Sequence, residues 1–446
     1  MDIKKSNRRS FLKSFSTTSL AMFSTFSPLR QSYTTESPNE RFKLGFIGCG
    51  GMGTWDAHEL SEFGDMVAVC DVDLNHAEAC HHNSSVVRKP DECFVTQDYR
   101  RLLERDDIEV VGIATPDHWH VKIGIEALLA GKHVFCQKPL TLTIEENKLI
   151  RRAVKKTGKV FQVGTQQRLM KDRFMLSTLM VRRGLIGDVK RVTVFLNTGP
   201  QGGPFNVQPI PETLDWNMFL GQTAYVEYRP QRATGSFRYW YEYSGGQFTD
   251  WGAHHIDCAL WALNQLGQGR GPIEFDGREV IHGSPLNENG YPIRDDCYNT
   301  AVNFNITAKF ANGVKMFIKD KKGENGILFE GTDGKLFVDR GRITGKPIEE
   351  NRHLALTEEE FIELNKYKPI ESHKANFFRC IREGGLPASD VFSHTYSMNT
   401  CHLCGIAARL KRIITWNPNT ETIIGDEKAA SFISREQRKG FEIPNV

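Results

Sequence analysis

Phe42-Lys43-Leu44-Gly45-Phe46-Ile47-Gly48-Cys49-Gly50-Gly51-Met52-Gly53 decides the fold of this chain. Its first six residues form an apolar run of strand length, and Met52 to Phe63 continues as a helical pattern. Between them stands Gly48-x-Gly50-x-x-Gly53. At that spacing, residues without side chains leave backbone amides and the positive end of a helix open to a pyrophosphate. Outward from it, Met66-Val67-Ala68-Val69-Cys70 reads as a second strand. Asp71 ends that strand, where a carboxylate hydrogen-bonds a ribose 2′-hydroxyl. Asp71-Val72-Asp73 offers no Arg or Lys to neutralise a 2′-phosphate, so the pattern favours NAD over NADP.

Further out, Val110 to Ala114, Lys132 to Cys136 and Val160 to Val163 are short apolar runs, with a helical stretch from His120 to Ala130 between the first two. Alternation of this kind predicts βαβ units feeding a parallel sheet. The expectation is an N-terminal Rossmann dinucleotide-binding domain over residues 41–164. Beyond Gly164 the texture changes. A helix is expected from Arg168 to Arg183, then strands at Val189 to Phe195, Tyr298 to Phe310, Val314 to Lys319, Ile327 to Glu330 and Lys335 to Asp339. Further helices are expected near Leu260 and, twice, after Ser372. Together they predict a C-terminal α/β domain over residues 165–446 with a large, mostly antiparallel open sheet, for substrate binding and catalysis. Thr198 to Ser244 carries many aromatics with little periodicity, and loops of that length tend to be functional.

The bulk properties agree with two α/β domains. A chain of 446 residues exceeds what one core serves, since single cores stop growing at roughly 250 to 300 residues. A net charge of +3, without a Lys/Arg run, gives no footprint for nucleic acid. No apolar stretch approaches the roughly 18 to 20 residues needed to span a bilayer, so membrane insertion is not expected. Asn7-Arg8-Arg9-Ser10-Phe11-Leu12-Lys13, followed by a mildly apolar stretch, resembles a twin-arginine signal. Residues 1–40 therefore read as a signal and linker on a periplasmic or otherwise exported protein, or as a cytoplasmic tail if the signal does not function. The ten cysteines form no zinc or disulfide framework, and Cys401-His402-Leu403-Cys404 lies in a helical run, so buried thiols are expected.

Two more segments carry a family resemblance. Thr115-Pro116-Asp117-His118-Trp119-His120 follows the third strand and Gln137-Lys138-Pro139 the fourth. With the glycine motif, and with Asp250-Trp251-Gly252-Ala253-His254-His255-Ile256-Asp257 later on, they resemble the Gfo/Idh/MocA family, named for glucose-fructose oxidoreductase and inositol dehydrogenase. The family usually has Glu-Lys-Pro where this chain has Gln137, which removes a carboxylate beside Lys138. The resemblance covers nearly all of Phe42 to Pro444. It implies an NAD(P)-dependent oxidoreductase acting on CH–OH groups of a sugar, glycoside or polyol. The cofactor would be held by Gly48, Gly50, Gly51, Met52, Gly53, Asp71, Thr115, Pro116, His120, Gln137 and Lys138. Lys138, Asp250 and His254 would be catalytic.

Asp250 and His254 stand at i and i+4, on one face if the segment is helical. His254 suits a base because imidazole titrates near neutrality, Lys138 would stabilise an alkoxide, and Asp250 would orient the imidazole or bind a hydroxyl. Asp257 is expected to support the helix. No metal is expected, since adjacent histidines rarely share one ion. Gln166 and Arg168, after the strand that closes the first domain, are expected at the substrate, with Tyr239, Trp240, Tyr243, Trp251 and His255. Flat rings with polar edges suit a sugar. The expected partner is a small carbohydrate, and the resemblance implies a homo-oligomer. An exported enzyme meets no free NAD pool, so the cofactor should stay tightly bound. That condition also admits a redox-neutral glycosidase or lyase passing through a keto-sugar. An inactive NAD-bound sensor is the third reading, and the presence of Lys138, Asp250 and His254 weighs against it.

Overall fold

Strand β1 (Phe42–Ile47) pairs in parallel with β2 (Gly64–Cys70) on one side and with β4 (Val110–Ile113) on the other. Addition of β3 (Phe94–Thr96), β5 (His133–Cys136) and β6 (Phe161–Val163) gives a six-stranded parallel sheet in the order β3-β2-β1-β4-β5-β6. The computed structural model describes residues 41–351, 356–365 and 372–446; the twin-arginine segment lies outside them. Both faces of this sheet are apolar because both are covered. Ile47, Val111, Ile113 and Val134 face the helices Asp117–Leu129 and Ile144–Thr157. Their neighbours Leu44, Phe46, Val110 and Phe135 point the other way, as the two-residue period of a strand requires. There they meet the helix Gly51–Ser61 and, from far along the chain, Phe377, Phe378 and Ile381 of the helix His373–Glu383. That late helix also brings Lys374, whose Nζ lies 2.5 Å from Asp56 Oδ1 and 3.2 Å from the Phe135 ring centre, all buried.

The second sheet has nine strands in the order β13-β12-β11-β7-β10-β9-β8-β14-β15. They are β7 (Val189–Leu196), β8 (Glu274–His282), β9 (Ala301–Lys309), β10 (Lys315–Asp320), β11 (Gly326–Gly331), β12 (Lys335–Val338), β13 (Ile343–Thr344), β14 (Ile413–Asn417) and β15 (Thr422–Ile424). Every neighbouring pair is antiparallel except β7 with β10. In β9, Val302, Phe304, Ile306 and Ala308 are buried while Asn303 is exposed, so one face is covered and the other open. Ile256 and Leu260 of the helix Gly252–Ala262, with Met398, Leu403 and Ile406 of the helix Val391–Leu410, fill the covered face.

Three details depart from the sequence reading. The helix expected from Arg168 begins as a 3₁₀ turn at Gln166–Leu169 and a π turn at Lys171–Met175, and becomes α-helical only at Leu176–Arg182. The break falls beside Arg168, whose side chain is drawn into an ion pair described below. Strands β3, β8, β14 and β15 had no clear apolar signature. In β8 the alternation is interrupted at Gly277, where a Cβ would overlap the backbone of Ala407. Finally, the irregular stretch after Thr198 builds its own small core from Trp216, Phe219, Leu220, Tyr228, Phe237, Trp240 and Tyr243. It docks on the first sheet's connections: Trp119 Nε1 donates to Phe219 O at 3.0 Å and Asp215 N to Val72 O at 2.9 Å. The ten cysteines are all buried thiols. Among the described residues, no helix is long and apolar enough to cross a membrane.

Candidate active site

A cavity of about 680 Å³ lies beyond the carboxyl ends of β1, β2 and β4, roofed by Leu214, Phe219, Tyr228 and Phe237. Gly48, Gly50, Gly51, Met52, Gly53, Asp71, Thr115, Pro116, Gln137 and Lys138 all line it. Two of the glycines are needed by the protein itself. Gly48 has φ +92°, and a Cβ at Gly53 would overlap the Gly48 carbonyl oxygen. Gly50 and Gly51 are different, for a Cβ at either would meet no protein atom within 4 Å. They face open space at the start of the helix Gly51–Ser61, which has no side-chain cap and no acidic residue in its first turn. The positive end of that helix is left free for an anion, so these residues fit a pyrophosphate. Asp71 is held by Cys49 N on Oδ2 at 2.6 Å and by Asp73 N on Oδ1 at 2.9 Å.

His120 is the exception among the expected cofactor residues. Its Nδ1 lies 2.7 Å from Pro139 O and its Nε2 2.9 Å from Thr115 O, and burial pushes its pKa down to about 4. It does not line the cavity; it ties together the segments that follow β4 and β5. The residue overlooked in the same motif is Asp117, which lines the cavity at the first position of the helix Asp117–Leu129. Its Oδ2 accepts from Ser244 Oγ at 2.5 Å. Burial raises its pKa to about 6, against the opposing pull of Arg238, the Ser244 hydrogen bond and Lys138. A polar residue at a strand's carboxyl end was the signal that could have found it.

Lys138 follows β5 and reaches the second sheet's helix. Its Nζ donates to Asp250 Oδ1 at 2.5 Å and to Asp250 O at 3.4 Å, and both side chains are 14% exposed. Arg238 Nε stands 3.5 Å from the same carboxylate oxygen. Burial alone would raise the Asp250 pKa, but Lys138, Arg238 and Arg340 outweigh it and hold the group below its ordinary value. Asp250 is not inside the helix, as the i, i+4 reading supposed. Its N–H bonds Gly246 O in a preceding turn, and the helix is capped at Trp251 without a side-chain bond. The carboxylate is thereby free to meet Lys138. His254, the third residue of the helix, is buried, and its Nδ1 has no hydrogen-bond partner. Burial, then the charges of Lys138 and Arg340, drive its pKa well below the usual imidazole value. The near-neutral titration expected of His254 is therefore corrected: the ring stays neutral.

The expected substrate residues divide. Tyr239 is half-buried and close enough to Asp250 for that charge to add to burial in raising the phenol. Trp251 carries Arg340 over its ring at 4.6 Å, and Gln166 is half-buried at the start of the 3₁₀ turn. The others are turned inward. Arg168, 2% exposed, donates Nη2 to Asp257 Oδ1 at 2.5 Å and Nε to Oδ2 at 2.7 Å, so its fork is consumed by the second sheet's helix. Trp240 and Tyr243 are fully buried in the small core under the roof, and buried His255 stacks on Trp251 and meets Gln167. Sequence reasoning weighed their rings as sugar platforms, but the roof needed them as its core. The cations it passed over are Arg238 and Arg340; the latter donates Nε to Gln167 Oε1 at 2.8 Å. Lys138, Arg238 and Arg340 thus surround one ionised carboxylate and one neutral imidazole, an arrangement suited to developing negative charge.

Comparison with known proteins places these features. Residues 42–165 match the Gfo/Idh/MocA model for the NAD-binding Rossmann fold of an oxidoreductase family, and residues 180–443 match the model for that family's C-terminal α/β domain. The chain is 31% identical over 155 residues to an α-N-acetylgalactosaminidase of Shewanella oneidensis, and 32% identical over 152 residues to a glycosyl hydrolase family 109 protein of Shewanella sp. strain W3-18-1. It matches about a third of the length of these relatives, 34% and 33%, over 34% and 33% of its own. Among solved structures, levoglucosan dehydrogenase in complex with NADH and levoglucosan shares the fold with a TM-score of 0.58 at 18% identity, over 84% of this chain and 99% of that one. The WlbA dehydrogenase of Chromobacterium violaceum, in complex with NADH and UDP-GlcNAcA, gives 0.58 at 16% identity, over 85% and 97%.

Proposed function

Because the chain belongs to the Gfo/Idh/MocA oxidoreductase family, with its NAD-binding Rossmann fold, we propose that it oxidises a hydroxyl of a sugar, glycoside or polyol. The observation that carries this reading is the contact of Lys138, which lines the glycine-lined cavity, with Asp250, close to buried His254. Gly48, Gly50, Gly51, Met52, Gly53 and Asp71 would hold NAD, which when bound would supply an acceptor for the electron pair that leaves the alcohol carbon. The form is NAD, since the Lys and Arg side chains lining the cavity, Lys138 and Arg238, both lie beside Asp250, and among the described residues Asp71 is faced by His76 at 3.8 Å with no Lys or Arg beside it to pair with a 2′-phosphate. Lys138 turns part of its charge from Asp250 to the substrate oxygen and stabilises the alkoxide. His254, kept neutral, receives the hydroxyl proton on Nε2, since Nδ1 is enclosed. Surrounding cations make the resulting imidazolium a strong acid, and it would give the proton up to solvent water. Tyr239, Trp251 and Gln166 border the sugar, with Arg238 and Arg340.

A second reading is supported by the relatives named for α-N-acetylgalactosaminidase and glycosyl hydrolase family 109. In it the sugar would be oxidised, lose its aglycone by elimination, take up water in its place and be reduced again within one turnover. Both readings take the cofactor as resident, in keeping with the twin-arginine pattern at Arg8-Arg9 and export to the periplasm. The open face of the second sheet supports pairing of two copies, which the solution mass checks. Mass spectrometry of the purified native protein for bound NAD is the first test, followed by single turnovers on a panel of sugars and aryl glycosides. Net NADH absorbance supports the dehydrogenase. Aglycone release without net NADH supports the glycosidase. Absence of nucleotide binding under any condition would overturn both.

A further inference from the structure

A second concavity, sharing no lining residue with the dinucleotide cavity, opens between the C-terminal segment and the start of the helix Ile144–Thr157. It has two chambers. The outer one, about 630 Å³, is lined by the amides and hydroxyl of Gln222, Gln437 and Thr223, by Arg294, and by the carboxylates Glu145, Glu146, Glu242, Asp295, Asp296 and Glu436. The inner one, about 50 Å³, adjoins it across Leu142, Thr143, Tyr241 and Arg435, which line both. Arg409, 6% exposed, lines the inner chamber with Arg435, His282 and His402, and no carboxylate does. The Arg409 guanidinium lies 3.3 Å from the Tyr241 ring centre and that of Arg435 lies 3.7 Å from it, so the ring is clamped on both faces. Arg435 spends Nη1 on Tyr241 O at 2.5 Å. Arg409 Nε and Nη2 are enclosed and without any hydrogen-bond partner. The carboxylate of Glu242 acts on Arg409 only at a distance, being engaged by Arg232 at 3.2 Å and by Asn299 at 2.9 Å. His282 and His402 are held neutral by burial, each near pKa 3, so the charge of the inner chamber is that of the two guanidinium groups.

A buried guanidinium with two idle donors and no counter-ion is costly unless something pairs with it. Its planar fork matches the geometry of a carboxylate or a phosphate. We propose that the inner chamber binds an oxyanion, carboxylate or phosphate, on a small polar ligand whose body occupies the outer chamber. The amides and hydroxyl of Gln222, Gln437 and Thr223 and the carboxylates around them suit the hydroxyls of an acidic or phosphorylated sugar, and those carboxylates confine its one negative group to the inner chamber. The chamber backs onto Gly245, Phe248 and Thr249, immediately before Asp250, so occupancy braces the turn that presents the carboxylate to Lys138. This site stands independently of the proposed reaction.

The test is thermal melting and calorimetry of the full chain with saturating NAD, so that the dinucleotide cavity does not take the probe. Inorganic phosphate, sulfate and glucuronate are compared with chloride at equal ionic strength. Phosphate or glucuronate is expected to raise the melting temperature by several degrees, and the stronger of the two identifies the ligand's acidic group. Arg409→Met is expected to abolish the effect while melting at or above wild type in anion-free buffer, since it removes an unpaired buried charge. Should that variant fail to fold, Arg435→Gln, half-buried on the C-terminal segment, is expected to weaken binding about tenfold. No effect on wild type, an equal effect of chloride, or an undiminished effect in folded variants overturns the proposal.

Discussion

Lys138 and Asp117 both line the dinucleotide cavity, and they lead to different experiments. Replacing Lys138 with Met removes the cation aimed at Asp250. On the proposed mechanism kcat falls roughly 10²- to 10³-fold, with a smaller change in KM, as steady-state kinetics on the preferred sugar will measure. Asp117 has a pKa of about 6 in the fold against 3.8 ordinarily. Between those values the folded state holds a proton that the unfolded chain has released, so stability declines as pH rises through the window. Above it the ionised group costs roughly 3 kcal/mol. Asp117→Asn retains an oxygen for Ser244 and is expected to melt higher than wild type at neutral pH, with the difference vanishing below pH 3.8. Equal melting at neutral pH would remove that account. At this scale the glycines and Lys138 were legible because their motif fixes their place. Arg168 was not: its position after β6 suggested a cleft, and only the fold reveals Asp257 waiting for it.

The helix His373–Glu383 explains how the chain accommodates Gln137. Gln137 Nε2 donates to Asp56 Oδ2 at 2.6 Å and its Oε1 accepts from Lys138 N at 3.1 Å, while Lys374 occupies the other Asp56 oxygen. The carboxylate missing from position 137 is supplied by the helix Gly51–Ser61, and its counter-ion by an element more than 230 residues downstream of Lys138. Gln137→Glu is expected to set two carboxylates against each other and lower the melting temperature, with Asp56→Asn restoring it in the double variant. Persistence of the loss in the double variant would rule out this repulsion. Lys374→Met is expected to cost roughly 3 to 5 kcal/mol in denaturant unfolding, because it leaves Asp56 buried and unpaired. The amphipathic pattern after Ser372 revealed a helix but not its destination. β8 and β14 escaped notice for a local reason: Gly277 breaks the alternation of one, and the other follows a long helix after only the turn at Lys411.

Across the whole molecule, the parallel sheet is finished by residues from the far end of the chain. A fragment covering residues 41–164 would expose the Phe46 and Phe135 face that Phe377 and Phe378 cover. Such a fragment is expected to aggregate, whereas the full chain unfolds in one transition, as light scattering and circular dichroism will show. Periodicity made the two-sheet plan readable, because strands buried on both faces and strands buried on one carry different patterns. How the sheets share helices was not readable, since it depends on contacts between distant segments. The same dependence bears on biosynthesis. A ribosome making about 5 to 20 residues per second needs on the order of ten to forty seconds to travel from Gly164 to Glu383. Throughout that interval the nascent chain presents a greasy, half-roofed sheet, a ready client for holdase chaperones, and its nucleotide cradle matures only when translation is nearly over.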